Sequence, residues 1–397
     1  MNQITLAGKR LSGVAVLVFL ACQPGCESIA DVPEVSFSIT CDQYCDDIFD
    51  VCTGTTLSQY EDRRTCLEVC TLLDTNAEGS QADFANTLQC RINRLREAAH
   101  AEGTDVVTYC TQAGPGGGNA CTGVDDAPDC EAYCTIYGLA CGGDSKNPYD
   151  GLIADDSAGT QADCVKKCRA IPQVPSPGYT WQEAKTSRDT LGCRLYYANA
   201  AVVSPSEANC KFAGIRPAGP CVDEGMSPSC ESFCLALTTA CAGELQVYES
   251  KEQCEAVCEV MEPGDRAKID PVDTVGCRNT HAFNALLVDP NAHCPHTGPL
   301  GANVCGKTGN CEAYCTLAEN ACPTDFVSEY SSNEDCLAKC AEIPGHDAGV
   351  YSVVEAKKGG NNLQCRGLAV SQVLQKPAAE RDAQVCGPVF GASPCSD

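Results

Sequence analysis

The sequence predicts a mainly α-helical protein of four tandem, disulfide-stapled small domains, each made of three helices followed by a Gly/Pro-rich loop. Three observations carry that prediction. The 397 residues include 34 cysteines. Of these, 32 fall into four blocks of eight, each opened by a near-copy of one stretch: Cys41–Cys52 (CDQYCDDIFDVC), Cys130–Cys141 (CEAYCTIYGLAC), Cys230–Cys241 (CESFCLALTTAC) and Cys311–Cys322 (CEAYCTLAENAC). Each opening has the spacing C-x3-C-x6-C. On a helix, the second and third sulfurs then lie about 40° and 20° from the first, whereas a strand would send them to opposite faces.

An internal period outranks chain length as a guide to domain count. The blocks run 41–121, 130–221, 230–305 and 311–395, joined by short Gly-, Pro- and Asp-rich linkers at 122–129, 222–229 and 306–310. Units this small bury a limited core, and aromatic residues make up only 6% of the chain. Disulfides would supply the missing stability, about 2–4 kcal/mol each.

The elements follow in the same order in every block. The opening cysteines mark a first helix whose recurring aromatics, Tyr44, Tyr133, Phe233 and Tyr314, read as core. A second C-x3-C, at Cys66/Cys70, Cys164/Cys168, Cys254/Cys258 and Cys336/Cys340, marks a second helix. In block four Ser332-Asn333-Glu334-Asp335 reads as its start, with acids in the first turn, and Pro172, Pro263 and Pro344 stop it in three blocks. The sixth cysteine (Cys90, Cys193, Cys277, Cys365) opens a third helix, for which Asn86, Asp189, Asp273 and Asn361 are the expected N-caps. Arg91, Arg194, Arg278 and Arg366 follow it, and their expected role is ion pairing with the acidic helices, the alternative being a row of arginines that grips a ligand. The seventh and eighth cysteines bracket a Gly/Pro-rich loop expected to close on its own disulfide.

Eight cysteines allow 105 pairings, and helix geometry narrows them. Two antiparallel helices that each carry C-x3-C pair outer with outer and inner with inner. The expected bonds are Cys41–Cys70 and Cys45–Cys66, Cys130–Cys168 and Cys134–Cys164, Cys230–Cys258 and Cys234–Cys254, and Cys311–Cys340 and Cys315–Cys336. The third and sixth cysteines then remain for each other: Cys52–Cys90, Cys141–Cys193, Cys241–Cys277 and Cys322–Cys365. The expected loop bonds are Cys110–Cys121, Cys210–Cys221, Cys294–Cys305 and Cys386–Cys395. The hairpin portion resembles the twin C-x3-C arrangement of small mitochondrial chaperones, a likeness of geometry that carries no function.

The N-terminus reads as an export signal. Lys9 and Arg10 precede an apolar run, Leu11 to Ala21, that is too short to span a bilayer. Phe19-Leu20-Ala21-Cys22 resembles a bacterial lipobox, which implies a signal peptide at 1–21, lipidation of Cys22 and a polar tether at 22–40. The rival is cleavage after Ala30, which removes both Cys22 and Cys26 and gives a fully secreted protein with an even cysteine set. Either route delivers the cysteines to an oxidising compartment. No other run is long enough for a membrane helix, so the membrane is met only through the lipid anchor.

A net charge of −26 excludes nucleic acid and anionic membrane surfaces as partners and suits an acidic exported protein. Asp144-Ser-Lys-Asn147 lacks the ligand alternation of an EF-hand. No HExxH, GxSxG or P-loop occurs, so no catalytic residues are assigned and the expectation is a non-enzymatic protein. The cysteines at C-x3-C spacing are not zinc knuckles, and there is no CxxCH for haem. The one chemical constellation is in block three. His281 stands one helical turn after Cys277, and His293 and His296 flank Cys294 in His-Cys-Pro-His. Three neutral imidazoles with an open position suit Zn or Cu. The counterparts are Arg94, Tyr109 and Gln112 in block one and Tyr197, Asn209 and Phe212 in block two. The alternative is a histidine-bearing turn without a metal, in which case the protein has no cofactor.

The lipobox, the CEAYC openings, the Cys-Arg helices and the His-Cys-Pro-His loop together resemble cysteine-rich repeat lipoproteins encoded in myxobacteria and related bacteria. That resemblance implies an outer-membrane or cell-surface location. The leading expectation is a lipoprotein that presents repeated helical domains to a protein or glycan, or that serves a structural role. The alternatives are a metal-binding or redox-related periplasmic protein using the block-three histidines, and a secreted enzyme.

Overall fold

The computed structural model describes residues 40–74, 85–118, 120–121, 129–142, 160–172, 179–215, 219–222, 229–264, 272–306 and 309–396. The expected signal peptide, the lipidation site Cys22, the thiol of Cys26 and nearly all of the tether lie outside these residues. The described chain is helical and contains no strand. Repeat 1 contains α1 (Cys41–Val51), α2 (Arg63–Cys70), α3 (Leu88–Ala98) and α4 (Thr104–Ala113). Repeat 2 contains α5 (Cys130–Cys141), α6 (Gln161–Cys168), α7 (Trp181–Ala184), α8 (Leu191–Val203) and α9 (Glu207–Ala213). Repeat 3 contains α10 (Cys230–Ala240), α11 (Lys251–Cys258), α12 (Val275–Leu287) and α13 (Pro290–His293). Repeat 4 contains α14 (Asn310–Ala321), α15 (Pro323–Glu329), α16 (Asn333–Cys340), α17 (Val353–Ala356), α18 (Leu363–Leu374) and α19 (Ala383–Cys386).

In each repeat the first two helices form a hairpin with two sulfur rungs. Cys41 bonds Cys70 and Cys45 bonds Cys66, and the same outer–outer, inner–inner pattern holds in the other three repeats. The remaining four cysteines of each repeat correct the expected pairing. The third bonds the seventh: Cys52–Cys110, Cys141–Cys210, Cys241–Cys294 and Cys322–Cys386. The sixth bonds the eighth: Cys90–Cys121, Cys193–Cys221, Cys277–Cys305 and Cys365–Cys395. The expected bonds Cys52–Cys90 and Cys110–Cys121, with their counterparts, do not form. The reason is a fourth helix (α4, α9, α13, α19), absent from the three helices expected, that carries or abuts the seventh cysteine. It runs back along the third helix, so the loop after it returns beside that helix's first turn, where the sixth cysteine sits. No disulfide among the described residues crosses from one repeat to another.

The third helices also correct two expectations. Their N-caps are Thr87, Thr190, Thr274 and Asn362, whose side-chain oxygens accept from the backbone N–H of the sixth cysteine at 2.9–3.2 Å. The preceding Asn86, Asp189, Asp273 and Asn361 bind the recurrent arginine instead. Arg91, Arg194 and Arg278 are fully buried, and a buried guanidinium is tolerated only when its donors are satisfied. The arginines therefore do not pair with the acidic helices. Arg91 Nε donates to Gly114 O at 3.0 Å, Arg194 Nε to Gly214 O at 3.2 Å and Arg278 Nε to Gly298 O at 3.0 Å. Each arginine thus fastens the carbonyl four residues past the seventh cysteine.

A second clamp acts one residue earlier. Tyr44, Tyr133 and Tyr314, buried in the first helix, donate to Ala113 O, Ala213 O and Val389 O at 2.6–2.8 Å. Repeat 3 has Phe233 at that position, and Tyr248 reaches Thr297 O at 3.4 Å in its place.

The repeats associate in two equivalent pairs. The second helix of repeat 1 packs on the third helix of repeat 2 (α2 on α8), and α11 packs on α18 in the same way. Trp181 N donates to Ser58 O at 3.1 Å, and Val353 N donates to Gln246 O at 2.8 Å. Lys185 pairs with Glu61 at 3.1 Å, and Lys357 pairs with Glu249 at 2.8 Å. Among the described residues no helix of repeat 2 packs broadly on repeat 3.

Candidate metal centre

The third and fourth helices of repeat 3 form the walls of a small polar corner. His281 lies on α12, one turn beyond Cys277, the residue bonded to Cys305. His293 ends α13, a single turn started by Pro290 with Asp289 Oδ1 accepting from Asn291 N at 2.9 Å. His296 lies in the 3-10 turn Cys294–Thr297. Four bonds fix that turn. Cys294 is tied to Cys241, and Thr297 Oγ1 donates to Cys294 O at 2.7 Å. Tyr248 and Arg278 hold the carbonyls of Thr297 and Gly298. The histidines therefore sit on backbone held by disulfides and buried donors, independent of any ion.

The structure brings the three rings together. His281 Nδ1 is 3.1 Å from His293 Nδ1 and 3.3 Å from His296 Nδ1. One ring nitrogen from each histidine lies within 4.8 Å of the other two. Nitrogens bound tetrahedrally at 2.0–2.1 Å from one Zn would stand about 3.3 Å apart, so both short separations match a shared ion. All three side chains are half-buried. Burial, followed by the neighbouring His296 and His293, pushes His281 down to about 4. Burial and His293 likewise lower His296. At neutral pH His281 and His296 therefore present neutral imidazole, the form that binds a metal. The sulfurs of Cys277 and Cys305 also lie within 4.8 Å of a His281 ring nitrogen. They are joined in a disulfide and offer no thiolate.

The model of the BfoA family C-terminal domain matches residues 227–308. The match begins three residues before Cys230, ends three after Cys305 and so takes in the whole of repeat 3, including the three histidines. The matched stretch is thus one of the four repeats. No curated protein and no solved structure matches the chain.

The other two histidines stand apart. His346 Nδ1 lies 3.1 Å from Ile343 O in repeat 4, and His100 is exposed in repeat 1. Sequence reasoning did not assign Tyr248 or Arg278 to the corner. A signal existed for Tyr248, since a tyrosine also stands three residues before the second helix at Tyr60 and Tyr330. The fold is that of a cysteine-rich, disulfide-stapled helical protein consistent with a structural or binding role. Its disulfides indicate an oxidising, extracytoplasmic environment. Among the described residues no helix is long and apolar enough to cross a membrane.

Proposed function

We propose that the chain is an exported, non-enzymatic lipoprotein, anchored through Cys22 at the cell surface, whose third repeat binds one zinc or copper ion on His281, His293 and His296. The observation that carries the metal reading is the convergence of the three ring nitrogens, with separations of 3.1 and 3.3 Å. Three imidazoles leave a fourth position open for water or an exogenous ligand. The ion would add little to folding, because Cys241–Cys294 and Cys277–Cys305 already close the corner. The four repeats together form the scaffold that meets a protein or glycan partner. Lipidation at Cys22 and a surface location rest on the lipobox and on the resemblance to repeat lipoproteins.

Metal content tests the site. The full exported chain, stripped with chelator and titrated with Zn or Cu, should take up one tight equivalent. His296→Ala should abolish that uptake while the disulfide map and far-UV circular dichroism stay unchanged. Undiminished stoichiometric uptake by the His296→Ala chain would refute the assignment.

A further inference from the structure

A cavity of about 340 Å³ opens in repeat 4, and Ala369, Val385 and Pro388 all line it. These residues occupy the slot that holds the histidines in repeat 3. Ala369 is four residues past the sixth cysteine, as His281 is, and Val385 and Pro388 flank the seventh cysteine as His293 and His296 do. In repeat 2 the slot is filled by rings. Tyr197 and Phe212 meet edge to face with centroids 5.1 Å apart, much as His281 and His296 meet at 4.7 Å. Repeat 4 replaces Tyr197 with an alanine and Phe212 with a proline, so the side-chain volume is missing while the two disulfides and the tyrosine clamp are kept. Leu368 and Val373 extend the apolar wall.

The edge of the cavity carries one uncommitted charge. Lys357 lines it but pairs with Glu249. Lys376 also lines it, is exposed, and makes no ion pair among the described residues. Its counterparts in the other repeats are Ala101, Ser204 and Val288, so at this position only repeat 4 carries a cation. On a chain of net charge −26, a free lysine beside an apolar hollow complements an anionic head joined to an apolar tail.

We propose that repeat 4 binds a linear alkyl carboxylate, with a tail of about ten carbons in the cavity and the carboxylate on Lys376. This site is separate from the histidine corner and does not depend on metal.

Calorimetric titration of the full chain with decanoate, decanol and acetate tests the proposal. Decanoate should bind at one saturable site, decanol about two- to fivefold more weakly, and acetate not at all. Ala369→Tyr refills the slot with the residue repeat 2 uses, and should abolish decanoate binding with the thermal midpoint unchanged. Should that variant fold poorly, Pro388→Phe fills the same space from the other wall and should give the same loss. Lys376→Glu should weaken decanoate about fivefold and leave decanol unaffected. Absence of saturable decanoate binding to the unmodified chain, or full binding by a folded slot-filled variant, would overturn the site. Equal affinity for decanoate and decanol would overturn the role of Lys376.

Discussion

Replacing Arg278 with methionine isolates the contribution of the buried arginine to the histidine corner. The methionine keeps much of the side-chain volume and removes the guanidinium. Arg278 is fully buried, its Nη2 lies 2.7 Å from Asp273, and it donates to Gly298 O and Pro299 O at 3.0 Å. Removing one member of a buried ion pair costs about 3–5 kcal/mol, because the partner charge is left without compensation. Orphaned carbonyls add about 1–3 kcal/mol each unless water reaches them. Cys241–Cys294 and Cys277–Cys305 survive the substitution, so the loss should appear as local opening of the loop rather than global unfolding. Hydrogen exchange by mass spectrometry over residues 294–305 reads that opening directly. A loss of 3 kcal/mol corresponds to a more than hundredfold rise in the opening constant, with RT about 0.59 kcal/mol. Asp273→Asn is the internal control. Repeat 1 already carries Asn86 against Arg91 at 2.8 Å with the same clamp intact, so that variant should change exchange far less. Metal affinity should fall in Arg278→Met, although the arginine touches no imidazole. A less than threefold change in exchange, or equal effects of the two substitutions, would refute the clamp.

Two further outcomes follow from the same framework. Non-reducing peptide mapping of repeat 1 should recover Cys52 joined to Cys110 and Cys90 joined to Cys121; the Cys52→Ser/Cys110→Ser chain should lose about 4 kcal/mol on the chain-entropy account of disulfides, and a Cys110–Cys121 crosslink would contradict the fold of the fourth helix. Metal-free protein should lose stability as pH falls from about 6.5 to 4, because the unfolded chain takes up protons there that the folded His281 and His296 resist; His281→Asn should make the thermal midpoint fall less steeply across that window, and an unchanged slope would remove His281 as a cause.

Much of this fold was legible because sulfur spacing is a geometric statement. C-x3-C on two consecutive helices leaves one antiparallel pairing, and helix periodicity decides it without knowledge of the core. The fourth helix was not legible. The segments α9, α13 and α19 are seven, four and four residues long. They are fixed by the capping side chains of Ser206, Asp289 and Asp382 and by the seventh cysteine rather than by an apolar stripe. Missing that helix misdirected the remaining disulfides. The N-caps were displaced by one residue for a different reason. Asn86, Asp189 and Asp273 are good capping residues in isolation, yet a buried arginine offers them a stronger partner than a helix terminus does. The histidine corner was visible because all three residues lie within one turn of a cysteine. Pairing of the repeats was invisible, since Glu61 and Lys185 are 124 residues apart and look like ordinary surface charges until α2 lies on α8.

The slot beside the seventh cysteine changes character from one repeat to the next, and the disulfides explain why it can. In an unstapled small domain, His281, Tyr197 or Ala369 would each have to help close the core, and a void or a polar cluster there would cost several kcal/mol. Here the sixth and seventh cysteines each carry a sulfur bond to another element. A buried tyrosine and a buried arginine hold the loop carbonyls in repeats 1 to 3. In repeat 4 the tyrosine still reaches Val389 O, whereas Arg366 binds Asn361 and its loop is two residues shorter. The backbone around the slot is therefore set before its side chains are chosen. A packed aromatic pair, a cluster of neutral imidazoles and an open apolar hollow then become alternatives on one framework. Exchanging them should alter what a repeat binds before it alters whether the repeat folds. Four copies of such a framework allow binding properties to diverge while each repeat keeps its own four disulfides.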